Sequence, residues 1–157
     1  MTEALSRFEA HLQTVPKRLV DISEADAAAK PDPTVWSKKE LLGHLIDSAA
    51  NNHQRFVRAQ QSNPYDGQRY EQDFWVSSQS YATESWPDLV NLWLLYNRHL
   101  LHVLRHIPAE ALPHICRIGD YPQMTLEEVA IDYVVHMEHH LDEMFAAPSP
   151  PQSEPRP

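Results

Sequence analysis

A single cysteine, Cys116, in a chain of 157 residues excludes an internal disulfide framework and suits a reducing compartment. Glycine is nearly as scarce, with three residues against 13 prolines. Sheet proteins use glycine in hairpin turns, so a sheet-rich fold is not expected. Long apolar runs are missing too: the longest is the five residues from Leu92 to Tyr96, and a membrane span needs roughly 20. Met1 to Glu9 holds two glutamates and no apolar block, so no secretory signal is expected and the cytoplasm is the expected location. Positive charge is short as well, with 13 Lys and Arg against 22 Asp and Glu, a net charge of -9. A chain without a basic run cannot displace counterions from a phosphate backbone. Neither nucleic acid nor an anionic membrane is therefore an expected partner.

What is present reads as one helical domain of 18.1 kDa, large enough to bury a core unaided. Interior prolines break helices, and proline-free windows run over residues 34–63, 65–86, 88–107 and 123–147. Ser37-Lys38-Lys39-Glu40 and Thr125-Leu126-Glu127-Glu128 are capping boxes, with Trp36/Leu41 and Met124/Val129 as staple pairs. Ser85 to Asp88 is a looser start, with Pro87 suited to a first helical position. Apolar residues then follow helical spacing. One face holds Leu41, Leu45, Ala49, Phe56 and Ala59, interrupted by Asn52. A second holds Leu89, Leu92, Trp93, Tyr96, Leu100, Val103, Leu104 and Ile107. A third holds Leu126, Ala130, Tyr133, Val134, Met137, Leu141 and Met144. The N-terminal stretch, with Leu5, Phe8, Leu12, Val15 and Leu19, supplies a fourth helix, kinked or restarted at Pro16. The pattern predicts an all-α four-helix bundle over residues 1–147, with essentially no sheet. The connection over 63–86, between the second and third helices, is long and aromatic and is expected to cross over or cover one end. The segment 148–157 is half proline and is expected to form a disordered tail.

Ten histidines in an acidic chain raise the question of metal. Imidazoles four apart on a helix share a face and can share an ion, which happens at His136/His140 and at His102/His106. The first pair borders the apolar stripe of its helix. The second lies away from its stripe with His99, and His139 points away from the edge shared by His136 and His140. His44 flanks the stripe of the second helix, with Ser48, Asn51 and Arg55 along the same edge. His44, His136 and His140 could thus converge from two helices, leaving open positions on a divalent ion as reactive sites do. The alternative is histidines that cap a core edge by hydrogen bonding. Asp47, one turn past His44, is either an outer-sphere partner that orients a ligand or a solvated acid. Asn51 and Arg55 are candidates for binding an anionic substrate, with Arg55 as a surface ion-pair partner the plain alternative. Cys116 is read as a loop residue without a partner or catalytic role.

Trp36-Ser37-x-x-Glu40-x-x-x-His44-Leu45-x-Asp47, together with His136-x-x-His139-His140-Leu141, resembles the DinB-like (YfiT-like) metalloenzyme family, and the likeness spans roughly residues 5–145. The resemblance implies a four-helix bundle with a metal on three histidines, matching His44, His136 and His140. It further implies a homodimer, and relatives include transferases or isomerases that use low-molecular-weight thiols, and hydrolases. The expected function is a metal-dependent transferase or hydrolase acting on a small molecule, with a divalent transition metal (zinc, nickel or iron) activating a thiol or water. The competing reading is a non-catalytic metal- or small-molecule-binding bundle in stress response. Val90, Leu94 and Leu101 form a second apolar strip on the third helix, a candidate partner face. The three ligand nitrogens are expected within about 4 Å of one another. They should open on a solvent-accessible cleft, and binding should weaken as pH falls through the histidine range.

Overall fold

The computed structural model describes residues 1–30 and 32–146; the proline-rich tail lies outside the described residues. Four long helices form the bundle: α1 (Thr2–Val20), α3 (Lys38–Gln61), α5 (Trp86–Arg105) and α6 (Leu126–Phe145), with short helices α2 (Glu24–Ala28) and α4 (Gln72–Ser78) between them. Each of α1 and α3 packs against both α5 and α6. Both expected capping boxes are formed. Ser37 N–H donates to Glu40 Oε2 at 2.8 Å while Glu40 N–H reaches Ser37 Oγ, and Thr125 with Glu128 repeats the exchange. Ser85 makes no side-chain cap, and Pro87 falls one residue inside the helix. There the free Trp86 N–H donates to Glu24 Oε2 at 3.0 Å, an acid at the positive end of α5. α1 continues through Pro16 as one helix. Phe8, Leu12, Val15 and Leu19 lie on a single buried stripe, and packing along it outweighs the one backbone bond proline removes.

Tyr133 of α6 sits edge-on between Phe8 of α1 and Phe56 of α3, at 5.8 and 5.7 Å. Its hydroxyl donates to Asn97 Oδ1 of α5, and Asn97, fully buried, donates in turn to Trp93 O at 2.8 Å. Leu92, placed by its spacing in the α5 core stripe, is 45% exposed, while Val90 and Leu101 of the expected partner strip are buried within the chain. Because α5 packs on both α1 and α3, its buried face is wide enough to take in that second strip.

A small sheet departs from the all-helical expectation. β1 (Tyr65–Gly67) pairs parallel with β2 (Ile115–Ile118), which pairs antiparallel with β3 (Met124–Thr125). Cys116 is therefore a buried strand residue opposite Tyr65 and Met124, not a loop residue. Three strands this short carry no readable alternation, and two of them come from segments about 50 residues apart. The connection over 63–86 consists of β1, α4 and a single 3-10 turn at Tyr81–Thr83, and it packs along α3. A Cβ on Gly43 would lie 2.1 Å from the Tyr81 ring, so the one glycine of α3 admits that ring to the helix backbone. Lys39, almost wholly buried, joins Glu24 and the Glu84 carbonyl and so ties α2 and the start of α5 to α3. No described helix is long and apolar enough to cross a membrane.

Candidate metal centre

α3 and α6 are neighbours, and their capping boxes fix where each begins. His44 lies two turns into α3, and His136 and His140 occupy successive turns of α6. The three rings converge, with centroids 5.1 Å (His44–His136), 4.9 Å (His44–His140) and 4.6 Å (His136–His140) apart. Each offers a ring nitrogen within 4.8 Å of the others. The His44 and His136 Nε2 atoms face each other at 3.2 Å. Two ligands of a tetrahedral ion at ~2.0–2.1 Å are about 3.3 Å apart, so this pair already has the spacing of a coordination edge.

His44 is fully buried. Burial, reinforced by the neighbouring His136 and His140, pushes its pKa down to about 3. Burial with His140 and His139 pushes His136 down to about 4. Both rings are neutral at pH 7, as a ligand must be, and protons compete for them well below the ordinary histidine range expected from the sequence. Outer contacts differ ring by ring. His140 Nδ1 bonds Glu143 Oε2 at 2.9 Å, which selects the tautomer with an N–H on Nδ1 and leaves Nε2 as the free lone pair. His136 Nδ1 has only a long 3.5 Å contact with Ser48 Oγ, and His44 Nδ1 is buried without a partner. The Trp36 ring lies 5.0 Å from that of His44, so Trp36 walls the site as well as preceding the cap. Imidazole nitrogen donors, one of them backed by a carboxylate, fit a divalent transition metal.

The other histidines separate as expected from the sequence. His102 and His106 stack at 4.2 Å on the exposed side of α5 and gain no third ligand among the described residues. His139 is exposed and outside the triad, though with His140 and Glu143 it makes a second, more exposed group. Asp47 is buried, but its Oδ1 accepts from Tyr81 Oη at 2.7 Å and from Gln79 rather than from a histidine. It anchors the α4 segment to α3, and burial raises its pKa against those bonds.

A cavity of about 330 Å³ opens beside the triad, with His136 and Ser48 in its wall. Arg55 reaches it; Asn51 does not, because its amide turns back to Asp47 O at 2.9 Å. Asn52 lines the cavity instead, and the polar interruption of an apolar stripe was the sequence signal for it. Arg55 donates to Asn52 Oδ1 and to Gln68 O, each at 3.2 Å. Burial lowers its pKa, opposed by Tyr70, Tyr65, Tyr121 and Asp132. Burial and Asp47 push Tyr70, another wall residue, up to about 12, so it stays a neutral phenol. Tyr70 enters the wall from the aromatic crossover, whose ring content was its sequence signal, while Tyr121 and Met124 enter through the sheet and its turn, which gave none.

A four-helix bundle carrying converging imidazoles from two helices beside a solvent-open cavity defines the class of protein. The chain belongs to the DinB superfamily, whose sequence profile matches residues 7–144. No curated protein matches it. Among solved structures it is similar to YfiT from Bacillus subtilis, described as a probable metal-dependent hydrolase with an unusual four-helix bundle topology. The TM-score is 0.77 at 19% identity, over 92% of this chain and 85% of that one. It is also similar to a mycothiol-dependent maleylpyruvate isomerase, with a TM-score of 0.76 at 13% identity, covering 93% of this chain and 61% of that one. A third, the DinB-like protein YjoA from Bacillus subtilis, gives 0.65 at 20% identity over 91% and 87% of the two chains. At these identities the likeness establishes the fold.

Proposed function

We propose that the protein is a metal-dependent enzyme, a transferase or hydrolase, that holds a divalent ion on His44, His136 and His140 and takes a small molecule into the adjoining cavity. The observation that carries this reading is the convergence of the three rings, two of them held neutral by burial, with His136 reaching the wall of that cavity. The descriptions of YfiT as a probable metal-dependent hydrolase and of a structural neighbour as mycothiol-dependent support it. When bound, the ion lowers the pKa of a coordinated water or thiol and so supplies a nucleophile near neutral pH. The protein's own groups bind and orient. Arg55 and Asn52 present donors, Tyr70 remains protonated, and Trp36 shields the His44 ring from water. Zinc, nickel and iron all suit an imidazole set.

Elemental analysis of the protein beside a His44→Ala/His136→Ala/His140→Ala variant tests the ion: about one equivalent is expected in the first and none in the second. Equal content in both refutes the site. Turnover on ester, amide and thiol-acceptor panels, lost in His44→Ala, is the enzymatic outcome; stoichiometric metal without turnover on any panel identifies a binding module instead. We further propose a homodimer. Leu92 and Leu95 of α5, 45% and 63% exposed, form its candidate face, and light scattering that reports only monomer at micromolar concentration rules it out.

A further inference from the structure

The charges around the cavity are unevenly paired. Arg69 at its mouth is matched by Asp120 at 2.7 Å and lies over the Tyr121 ring. Arg55, half-buried on α3, donates only to neutral oxygens, an amide and a backbone carbonyl. No carboxylate among the described residues lies within ion-pair distance of it. A guanidinium that has lost water without gaining an anion is a ready-made receptor for one, because its planar fork matches a carboxylate. Among the described residues the only carboxylate lining the cavity is Asp132, one turn before His136 on α6. It is exposed and likewise without an ion-pair partner, and it opposes a second negative charge in the same space. Between the charges the wall carries an apolar part, formed by Ile118, Met124, Val129 and the tyrosine rings, beside a polar part with Ser48, Asn52 and Gln72. The cavity stands at the small end of the ~300–1,000 Å³ typical of ligand sites.

Resting on the reading of this cavity as the substrate chamber of the metal centre, we infer that its ligand is a compact organic monoanion, a monocarboxylic acid with an apolar or aromatic body. The carboxylate pairs with Arg55, and the opposite end of the molecule extends to the His136 side, where the ion would sit. Away from the ion, the second charge of a dicarboxylate or phosphate monoester faces Asp132, and the other cation of the wall, Arg69, is already paired with Asp120. Cations meet Arg55 itself.

The test is calorimetric binding of four probes of similar girth to the protein as purified and again after chelation: benzoate, phthalate, phenyl phosphate and benzylammonium. Benzoate is expected to bind one to one, to outcompete the other three, and to bind with or without metal. Arg55→Met should weaken it about tenfold or more, as loss of a charge-assisted pair does. Arg55→Lys should recover part of that loss, and circular dichroism should show both variants folded. Asp132→Asn, an exposed change that does not touch the core, should narrow the preference for benzoate over phthalate. Phenyl phosphate or benzylammonium binding more tightly than benzoate, or Arg55→Met binding benzoate like the parent, overturns the inference. The triple histidine variant separates the two readings. If it loses metal yet still binds benzoate, both stand, whereas stoichiometric metal in a parent that ignores benzoate sinks the ligand class alone.

Discussion

Replacing Glu143 by alanine should weaken metal binding without destroying it. The Glu143 carboxylate accepts from His140 Nδ1 at 2.9 Å, across one helical turn. Of the three candidate ligands only His140 has its outer nitrogen fixed by a charged acceptor; His136 has a 3.5 Å hydroxyl contact and His44 has nothing. Carboxylate partners of this kind typically contribute 10–100-fold in metal affinity by fixing tautomer and ring orientation and raising ligand basicity. Glu143 is 51% exposed against 17% for His140, so solvent screens its charge and the effect belongs at the low end. About tenfold is expected, roughly 1.4 kcal/mol. Glu143→Gln keeps an acceptor and should lose less. Competition of zinc between the protein and a chromophoric chelator at pH 7.5 reads the ratio directly, and thermal unfolding of the metal-free variant controls for folding. Unchanged affinity in Glu143→Ala refutes the argument. So does complete loss, equal to His140→Ala, since that behaviour marks a direct ligand. His139→Ala distinguishes further: it should leave zinc affinity nearly intact unless the His139–His140–Glu143 group is the true site.

Two further outcomes follow from burial. His44 and His136 are held near 3 and 4 in the fold by burial and by neighbouring histidines, and His53 is lowered by burial and His99, whereas the unfolded rings titrate near 6.5. The unfolded chain therefore binds more protons between these values, and stability should fall as pH drops from 7 to 5. The urea midpoint of the metal-free protein should decline over that range and flatten in His44→Phe/His136→Phe; a midpoint independent of pH there contradicts the burial argument. Gly43→Ala places a Cβ 2.1 Å from the Tyr81 ring. That ring must move, breaking the Tyr81–Asp47 bond, so a loss of about 2 kcal/mol or more is expected, and an unchanged urea midpoint refutes the packing.

The long helices and the triad were legible because both rest on local, periodic signals. Ser37–Glu40 and Thr125–Glu128 mark the starts of α3 and α6, and residues four apart share a face whatever the rest of the chain does. His44 could be set against His136 because bundle helices present their stripe edges to one another. The connection over 63–86 and the segment between α5 and α6 behave differently. β1 is parallel to β2 across some 50 residues, and Cys116 is buried only because Tyr65 and Met124 flank it. Long-range pairing of strands of two to four residues leaves no periodic trace. The cap of α5 was hidden for the same reason: its acceptor is Glu24, 62 residues earlier.

The division has a functional consequence. The candidate metal ligands belong to the two capped helices, whose register is set within each helix by its own capping box. The opposite wall of the cavity comes from elements that hold one another: Ile118 ends β2, Tyr121 and Pro122 lie in the turn after it, and Met124 lies in β3, which passes directly into the cap of α6. Arg69 crosses from the β1 side to Asp120 and Tyr121 and closes that wall against the crossover. A change in the sheet or its turn can therefore reshape the ligand space without moving His44, His136 or His140. Within the proposed function, ion chemistry falls to the helices and ligand choice to the sheet. Substitutions at Ile118, Tyr121 or Met124 should alter which acid is bound while leaving zinc affinity within about twofold of the parent, since none of the three hydrogen-bonds a histidine of the triad.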